Sequence, residues 1–342
     1  MTGMSDKAAA SLPRVGFLGV GWIGLIRMQA LVEGGHIEPS AVVDPSDEAA
    51  NAAIKLAPGA KRYASFEEML AQKLDGIVIA TPTAAHAQQA IAALRAGSAV
   101  FCQKPLACDS ASTRRVIEEA QAADRLLGVD MSYRHLQGMQ AIRTLIAAGS
   151  IGQVYCVDLI FHNAYGPDKE WFYRPELSGG GCVIDLGVHL VDLAMWSLGA
   201  TKVSAMASRL FAKGRRIMNI VEQVEDHAIA QFELDDRITI NLACSWRLSA
   251  GTDAIIDAFF HGTRGGLELH NVNGSFYEFR AERYSGTQRE VLSNPPEQWQ
   301  GSAVNEWARR LAACRRFDQS ALEVLHVAEA LDLIYGRRIS GS

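Results

Sequence analysis

The chain has 342 residues, of which 49% are hydrophobic, and its 33 Lys and Arg against 38 Asp and Glu give a formal net charge of −5. This length exceeds one ordinary domain, because single cores stop growing near ~250–300 residues. The hydrophobic content excludes wholesale disorder, and the mild acidity lacks the basic excess that nucleic acid or an anionic membrane surface selects. We therefore expect about two globular domains and a small-molecule partner, and neither a nucleic-acid nor a membrane partner.

The cysteines and the amino-terminal region bear on the cellular compartment. The six cysteines are scattered, with no CxxC pair and no zinc-type Cys/His spacing, which is typical of reduced, mostly buried thiols in the cytoplasm. The apolar run over 15–26 has the size of a signal-peptide core, but it contains four glycines and lacks a small-residue cleavage site. A buried strand and turn explain it better. No apolar run approaches the ~18 residues of a membrane span.

The chain divides into two patterns after an amino-terminal tail over 1–12 that we expect to be disordered. Over 13–130, apolar strands at 15–18, 41–43, 77–80 and 99–102 alternate with helical segments, one of which opens on a Ser65/Glu68 capping box. This alternation is typical of a doubly wound parallel sheet.

Over 131–342 the predicted strands follow one another through turns, which indicates an antiparallel or mixed sheet in an α/β domain. These strands cover 154–162, 228–234, 238–246, 254–261 and 266–269, and the predicted helices cover 186–198, 305–313 and 322–335.

A glycine-rich loop follows the first predicted strand. Gly19, Gly21 and Gly24 form a GxGxxG at the start of a helix, where the second glycine lets the backbone approach a pyrophosphate and the helix amino terminus attracts the anion. Asp44 ends the next strand, 20 residues beyond Gly24, at the offset of a carboxylate that binds an adenosine ribose. Because a carboxylate repels a 2′-phosphate, the sequence predicts NAD in preference to NADP.

Two further segments carry candidate catalytic groups. Lys104 stands at the carboxyl end of a predicted parallel strand, where open α/β sheets bind ligands. Asp185, His189 and Asp192 recur at helical spacing, on one face of an otherwise apolar helix. A core hydrogen-bond network, a metal site and a substrate-facing acid/base group could each use that stripe. The chain has no HExxH and no second His/Cys cluster, and its other histidines, including His261 and His270, are isolated, so we expect no metal.

Together, these motifs resemble the glucose-fructose oxidoreductase/inositol dehydrogenase (Gfo/Idh/MocA) family. The resemblance rests on GxGxxG, on Thr81-Pro82 with His86, on Lys104-Pro105 and on the glycine triplet followed by Asp185 and His189. It implies an N-terminal Rossmann domain, a C-terminal α/β domain with a large, mostly antiparallel open sheet, and a homo-oligomer, dimer or tetramer, formed through that sheet. It further implies an NAD(P)-dependent oxidoreductase acting on a CH–OH group of a sugar, cyclitol or related polyol.

The resemblance also assigns site residues. Lys104, Asp185 and His189 would be catalytic, with His189 as the base for the hydroxyl proton, Lys104 stabilising the alkoxide and Asp185 binding a neighbouring hydroxyl. The cofactor would contact the glycine loop and the strand ends, namely Gly19, Gly21, Trp22, Ile23, Gly24, Asp44, Thr81, Pro82, His86, Gln103 and Lys104. The substrate would contact Arg134, Asn163, Tyr165, Trp171, Tyr173, Asp185 and His189.

The chain departs from the family pattern at Gln103, where the family usually carries Glu before the Lys-Pro pair. A neutral amide replaces an anion beside Lys104, so we expect Lys104 to hold its proton less firmly than in relatives. Two other functions stay open: an NAD-dependent glycosidase that uses bound NAD as an internal redox cofactor, and a dinucleotide-binding sensor without turnover.

Overall fold

The computed structural model of the protein describes residues 11–218 and 220–338. The predicted disordered tail over 1–12 lies outside these ranges except for its last two residues.

The first half of the chain forms a parallel sheet covered by helices. Its strands are β1 (Arg14–Leu18), β2 (Glu38–Val43), β3 (Lys61–Arg62), β4 (Gly76–Ile79), β5 (Ala99–Cys102) and β6 (Leu127–Val129). Its helices are α1 (Trp22–Gly34), α2 (Asp47–Leu56), α3 (Phe66–Leu70), α4 (Thr83–Arg95) and α5 (Ser110–Ala122). The strand order is β3-β2-β1-β4-β5-β6 and every pair is parallel. The order reverses between β1 and β4, which creates a ligand crevice at their carboxyl ends and confirms the doubly wound Rossmann prediction.

Local sequence signals account for several of these elements. β4 and β5 are buried along their whole length, as the continuous apolar runs predict. The capping box is confirmed, because the Glu68 backbone N–H donates to Ser65 Oγ at 3.2 Å. The Glu68 carboxylate in turn accepts from the N–H of Ala64 at 3.0 Å, which closes the first turn of α3.

The second half of the chain builds a larger sheet. Its strands are β7 (Val154–Asn163), β8 (Val203–Ala212), β9 (Arg215–Ile217), β10 (His227–Leu234), β11 (Ile238–Ser245), β12 (Ala254–Gly262), β13 (Gly265–Asn271), β14 (Phe279–Ser285) and β15 (Gln288–Ser293). Its helices are α6 (Gln137–Ala147), α7 (Pro175–Ser178), α8 (Val188–Leu198), α9 (Ser302–Ala313) and α10 (Leu322–Ile334). The order is β15-β14-β13-β12-β7-β11-β10-β8-β9, antiparallel except for the parallel pair β7 and β11. The mostly antiparallel sheet is thus confirmed.

The two faces of the second sheet differ. On β10, Ala228, Phe232 and other alternate residues are buried in the core, on the side where α6, α8 and α10 pack. The intervening side chains point to the opposite side, which we call the outer sheet face. Ile229 there is 50% exposed. This alternation is the pattern of a sheet with one packed and one open face.

Helix α9 joins the two halves. Its Trp307 packs on Phe101 of β5, with ring centroids 5.7 Å apart. A Cβ on Gly76 or Gly128 would lie within 2.8 Å of that indole, so glycine is needed on both strands beneath it. A helix from the carboxyl-terminal part of the chain therefore completes the core of the parallel sheet.

One helical stretch of the described residues, Pro175–Leu198, is long and apolar enough to cross a membrane by length and composition. The expectation that no segment reaches that length is therefore wrong. Of its most apolar window, 83% is buried inside the protein, which is the position of a core helix.

Candidate functional site

The glycine loop lies in the crevice between β1 and β4. Gly19 has φ +82°, and a Cβ on it would lie 2.7 Å from the Ala80 carbonyl oxygen. A Cβ on Gly24 would lie 2.2 Å from the Gly19 oxygen, whereas a Cβ on Gly21 would meet no atom within 4 Å. Gly19 and Gly24 are thus required by the fold itself, and Gly21 leaves open space at the start of α1, where no side chain caps the helix. This cradle fits a dinucleotide pyrophosphate.

Asp44 is held against the same loop. Its carboxylate accepts the Val20 N–H at 2.7 Å and the Ser46 N–H at 2.8 Å. Trp22 and Ile23 begin α1 beside it, and Trp22 is 70% exposed. The structure therefore brings Asp44 to the glycine loop, at the position that a ribose-binding carboxylate needs.

Arg62 is a basic neighbour of Asp44 that the sequence analysis missed. The pairing of β2 with β3 sets Arg62 beside Val42, and its Nη2 lies 3.4 Å from the Asp44 carbonyl oxygen. It also pairs with Asp47 at 2.7 Å. A two-residue strand of exposed Lys61 and Arg62 gives no hydrophobic signal from which this contact could be predicted.

Lys104 and Asp185 form the centre of the candidate site. Lys104 Nζ donates to Asp185 Oδ1 at 2.9 Å and to the Asp185 carbonyl oxygen at 2.5 Å. The Trp246 indole N–H donates to the second carboxylate oxygen of Asp185 at 3.2 Å. Trp246 follows directly after β11 and was not predicted. The Lys104 ammonium, the Asp185 carboxylate and the Trp246 indole therefore lie in contact at this point.

The helix that carries Asp185 begins differently from the prediction. The predicted helix over 186–198 begins at Val188, and the preceding Val183–Gly187 forms a π-helical turn. Because a π-helical turn is wider than an α-helical one, Asp185 and Asp192 do not lie on one face of the helix, contrary to what the spacing predicted. Asp185 faces Lys104, whereas Asp192 is 1% exposed and pairs with Arg134 at 2.6 Å.

Glu225 holds the π-helical turn in place. Its carboxylate accepts the N–H groups of Gly181 and Val183 and the hydroxyl of Tyr335. A Cβ on Gly181 would lie 1.8 Å from the Glu225 carbonyl oxygen, and one on Gly180 would lie 2.2 Å from the Tyr335 hydroxyl. Close approach to these two residues therefore requires glycine at both positions.

His189 lies one turn after Asp185 and packs on Tyr133, with ring centroids 4.7 Å apart. Its Nδ1 is buried and has no hydrogen-bond partner among the described residues. Burial holds the pKa of His189 well below its usual value, and the positive charges of Lys104 and Arg27 lower it further. The imidazole is therefore neutral at pH 7 and can accept a proton.

Gln103 faces a buried ion pair. Asp130 is 1% exposed and pairs with Arg27 of α1. The Gln103 side-chain amide and the Ser132 hydroxyl both donate to the Asp130 carboxylate. A carboxylate thus lies beside position 103, although it comes from β6 and not from position 103 itself. This network was not predicted from the sequence.

His86 connects two strand-end loops. It is 1% exposed, and its ring nitrogens lie 2.8 Å from the Pro105 carbonyl oxygen and 2.7 Å from that of Thr81. Pro82 occupies the N-cap position of α4 without a side-chain capping hydrogen bond, and the Thr81 hydroxyl donates to Gln89. Both polar atoms of His86 therefore contact protein, so His86 positions the loop that carries Lys104.

The residues predicted to bind substrate differ in their exposure and in the groups that they contact. Tyr173 packs on Trp246 with ring centroids 5.6 Å apart, and Trp171 stacks on Phe172 at 3.8 Å. Tyr165 is 52% exposed, and Asn163 has a buried Oδ1 that lacks a hydrogen-bond partner among the described residues.

Arg134, which was also predicted to bind substrate, forms ion pairs within the protein. Its guanidinium binds Asp192 in a bidentate manner and also contacts Glu323. The structure therefore brings Tyr173 close to the Lys104 and Asp185 pair through Trp246, whereas it engages Arg134 in ion pairs with other residues.

Comparison with known proteins matches both halves of the chain to one family. Residues 13–131 match "Oxidoreductase family, NAD-binding Rossmann fold" and residues 139–268 match the "GFO/IDH/MocA C-terminal domain". A D-glucoside 3-dehydrogenase of Escherichia coli K12 is 26% identical over 236 residues, which cover 66% of this chain and 67% of that protein. An inositol 2-dehydrogenase of Leifsonia xyli is 29% identical over 252 residues, covering 72% and 70%.

A solved structure shows the same fold. A 3-ketoreductase from Actinomadura kijaniata, in complex with NADP and TDP-benzene, superimposes with a TM-score of 0.81 over 95% of this chain and 97% of that one, at 19% identity. The two family matches together span most of the sequence, in the order of the two sheets. The chain therefore belongs to the Gfo/Idh/MocA family of NAD(P)-dependent oxidoreductases.

Proposed function

We propose that this sugar or polyol oxidoreductase interconverts a secondary alcohol and the corresponding ketone of a sugar, cyclitol or related polyol. Lys104, Asp185 and His189 are the catalytic residues. The observation that carries this proposal is the pair of hydrogen bonds from Lys104 Nζ to Asp185, one helical turn before a neutral His189 whose Nδ1 has no partner among the described residues.

Each of the three groups has one task in this chemistry. When bound, NAD(P) would supply the hydride acceptor for the carbinol carbon during oxidation. His189 accepts the hydroxyl proton, which its lowered pKa permits at neutral pH. The Lys104 ammonium stabilises the alkoxide charge as the proton leaves. Asp185 accepts a hydrogen bond from a neighbouring hydroxyl, which orients the substrate ring.

The surroundings of this pair favour a polyhydroxylated ring. Tyr173 is half-buried and packs on Trp246, which is 3% exposed and contacts Asp185 through its indole N–H, and the Arg247 guanidinium lies 5.3 Å from the Tyr173 ring centroid. Aromatic faces pack on the C–H face of a sugar, and carboxylate and guanidinium groups bind its hydroxyls.

We also propose NAD as the preferred cofactor, since the Asp44 carboxylate lies against the glycine loop and repels a 2′-phosphate. The exposed apolar side chains of the outer sheet face support a homo-oligomer, dimer or tetramer, through that face. In a D44N variant, the ratio of kcat/KM with NAD to kcat/KM with NADP should fall. The matched control is E48Q, which removes an exposed carboxylate from the first turn of α2 and leaves both Asp44 and the ion pair of Arg62 with Asp47 in place.

A substrate panel tests the proposed reaction. NADH formation is measured with sugars, cyclitols and sugar acids in the presence of NAD or NADP, and sugar release from glycosides is measured in parallel. Stoichiometric NADH formation with one panel member is expected. Sugar release without net NADH would identify a glycosidase, and cofactor binding without any turnover would identify a sensor.

A further inference from the structure

The outer sheet face carries a group of polar residues far along the chain from the catalytic ones. Glu268 and His270 lie on β13, where they alternate with Leu267 and Leu269, which are buried in the core. Strand β14 runs antiparallel beside it and sets Glu282 directly opposite Glu268. We call Glu268, His270 and Glu282 the outer-face triad.

The side chains of the triad converge. One carboxylate oxygen from each glutamate and one ring nitrogen of His270 all lie within 4.8 Å of one another. His270 Nδ1 lies 3.3 Å from Glu268 Oε2. The antiparallel register therefore creates a cluster that the sequence alone does not show, because Glu268 and Glu282 lie on successive strands and meet only through the pairing of those strands.

The carboxylate oxygens of the triad share few hydrogen-bond donors, and a further carboxyl group, that of Asp257 on β12, is hydrogen-bonded to Glu268. The Tyr284 hydroxyl contacts both glutamates, at 2.8 Å for Glu282 Oε2, but a hydroxyl carries one proton and donates to one acceptor at a time. Glu282 is 1% exposed and its Oε1 has no hydrogen-bond partner among the described residues. The guanidinium of Arg289, which is largely exposed, forms an ion pair with that oxygen at 3.6 Å. A buried carboxylate oxygen that has no hydrogen bond and only a largely exposed guanidinium as its ion-pair partner is incompletely compensated for its lost hydration.

We propose that the outer-face triad binds a divalent transition-metal ion of the Zn²⁺ type. Two carboxylate oxygens and one imidazole nitrogen form a mixed ligand set that suits such an ion, whereas Mg²⁺ and Ca²⁺ favour oxygen ligands alone. Metal–ligand distances of about 2.0–2.2 Å require the three atoms to approach to roughly 3–4 Å. Small side-chain rotations achieve this from the observed spacing.

The remaining neighbours suit an outer ligand shell. The Tyr284 hydroxyl lies in contact with both glutamates and donates to one of them, and its ring stacks on Phe259, with centroids 5.5 Å apart and planes 2° from parallel. Such contacts orient the ligands of a metal. Three protein ligands leave one tetrahedral position for water. Because the ligands come from both β13 and β14, the bound ion joins these two strands on the outer sheet face.

The test uses the full-length protein after removal of metal by a chelator. Zn²⁺ is titrated against a chromophoric competitor, and Co²⁺ is added separately to read the ligand field by visible absorption. H270Q and E282Q are the test variants. H261Q is the matched control, because His261 lies on the same sheet, pairs with Asp158 at 2.8 Å and has a single carboxylate partner in that contact.

One Zn²⁺ per chain is expected for wild type and for H261Q, with binding at least about tenfold weaker in H270Q and E282Q. Zn²⁺ should raise the Tm of wild type and H261Q and leave that of H270Q unchanged. If H270Q fails the circular-dichroism check of folding, E282Q decides. Equal affinity in all four proteins, a stoichiometry far from one, or Co²⁺ spectra that are the same in H270Q and wild type would overturn the proposal.

Discussion

Lys104 Nζ donates to two oxygens of Asp185, the carboxylate Oδ1 at 2.9 Å and the backbone carbonyl at 2.5 Å. The two residues are 81 positions apart, one following β5 of the parallel sheet and the other in the π-helical turn before α8. One ammonium group thus ties the end of a Rossmann strand to the helix that carries His189. Lys104 and His189 are therefore held in a fixed relation before any ligand binds.

Removal of either group should reduce turnover. H189A removes the proton acceptor and K104M removes the charge that stabilises the alkoxide, so we expect each to lower kcat by roughly 10²–10⁴-fold. NADH affinity, measured by fluorescence titration, should change little. H36A is the control, because His36 lies between α1 and β2, and its kcat should equal that of wild type. Wild-type turnover in H189A or K104M would contradict the assignment.

The pH dependence of oxidation should report on His189. Its pKa is lowered by burial and by the charge of Lys104, so the basic form persists below pH 6.5, the ordinary imidazole value. The rate should fall only as the pH drops through this lowered pKa. In K104M, the residual activity should show its acidic limb at higher pH, because the repelling ammonium is absent. The measurement is kcat/KM against pH for both proteins, and coincident acidic limbs would contradict this coupling.

The sequence predicts the parts of this protein whose local pattern and tertiary role agree. The buried runs of β4 and β5 and the alternation of β10 and β11 specify their strands closely. Strand β15 was missed because its residues at the sheet edge are mostly exposed and polar, and β14 was missed because charged residues, including the buried Glu282, interrupt its apolar alternation.

The candidate site likewise contains residues that local motifs identify and residues that only tertiary packing brings there. Gly19, Asp44, Lys104 and Asp185 stand within recognisable motifs, so sequence patterns identify them. Trp246, Asp130 and Glu225 reach the site from distant strands and loops through packing alone. The π-helical turn that separates Asp185 from Asp192 also arises from long-range contacts, here those of Glu225, and has no signal in the local spacing.

The glycine loop allows cofactor binding to be separated from stability. A Cβ on Gly21 meets no protein atom within 4 Å, so G21A should keep the wild-type Tm and lose NADH affinity, because the methyl group enters the space for the pyrophosphate. In G24A the Cβ would lie 2.2 Å from the Gly19 oxygen, which should lower the free energy of unfolding by about 1–3 kcal/mol. Thermal unfolding and fluorescence titration of both variants check this. Wild-type NADH affinity in G21A would show that the cofactor does not approach this residue.

The hydrogen bond from the Gln103 amide to the Asp130 carboxylate should stabilise the folded protein. Gln103 donates to Asp130, which also pairs with buried Arg27. Q103E replaces this donor with a second carboxylate, and Arg27 alone cannot neutralise both, so the free energy of unfolding at pH 7 should fall by about 1–3 kcal/mol. D130N alone should also destabilise the protein, because it removes the anion that faces Arg27.

The double variant Q103E/D130N should recover most of that loss, because the carboxylate moves to position 103 and an amide occupies position 130. Urea unfolding of the four proteins gives the coupling energy directly. The pH profile of kcat should shift in Q103E relative to wild type, since the added charge lies beside Lys104. Additive losses in the double variant would show that Gln103 and Asp130 do not act as a pair, and an unmoved pH profile would show that the charge at position 103 does not reach the catalytic lysine.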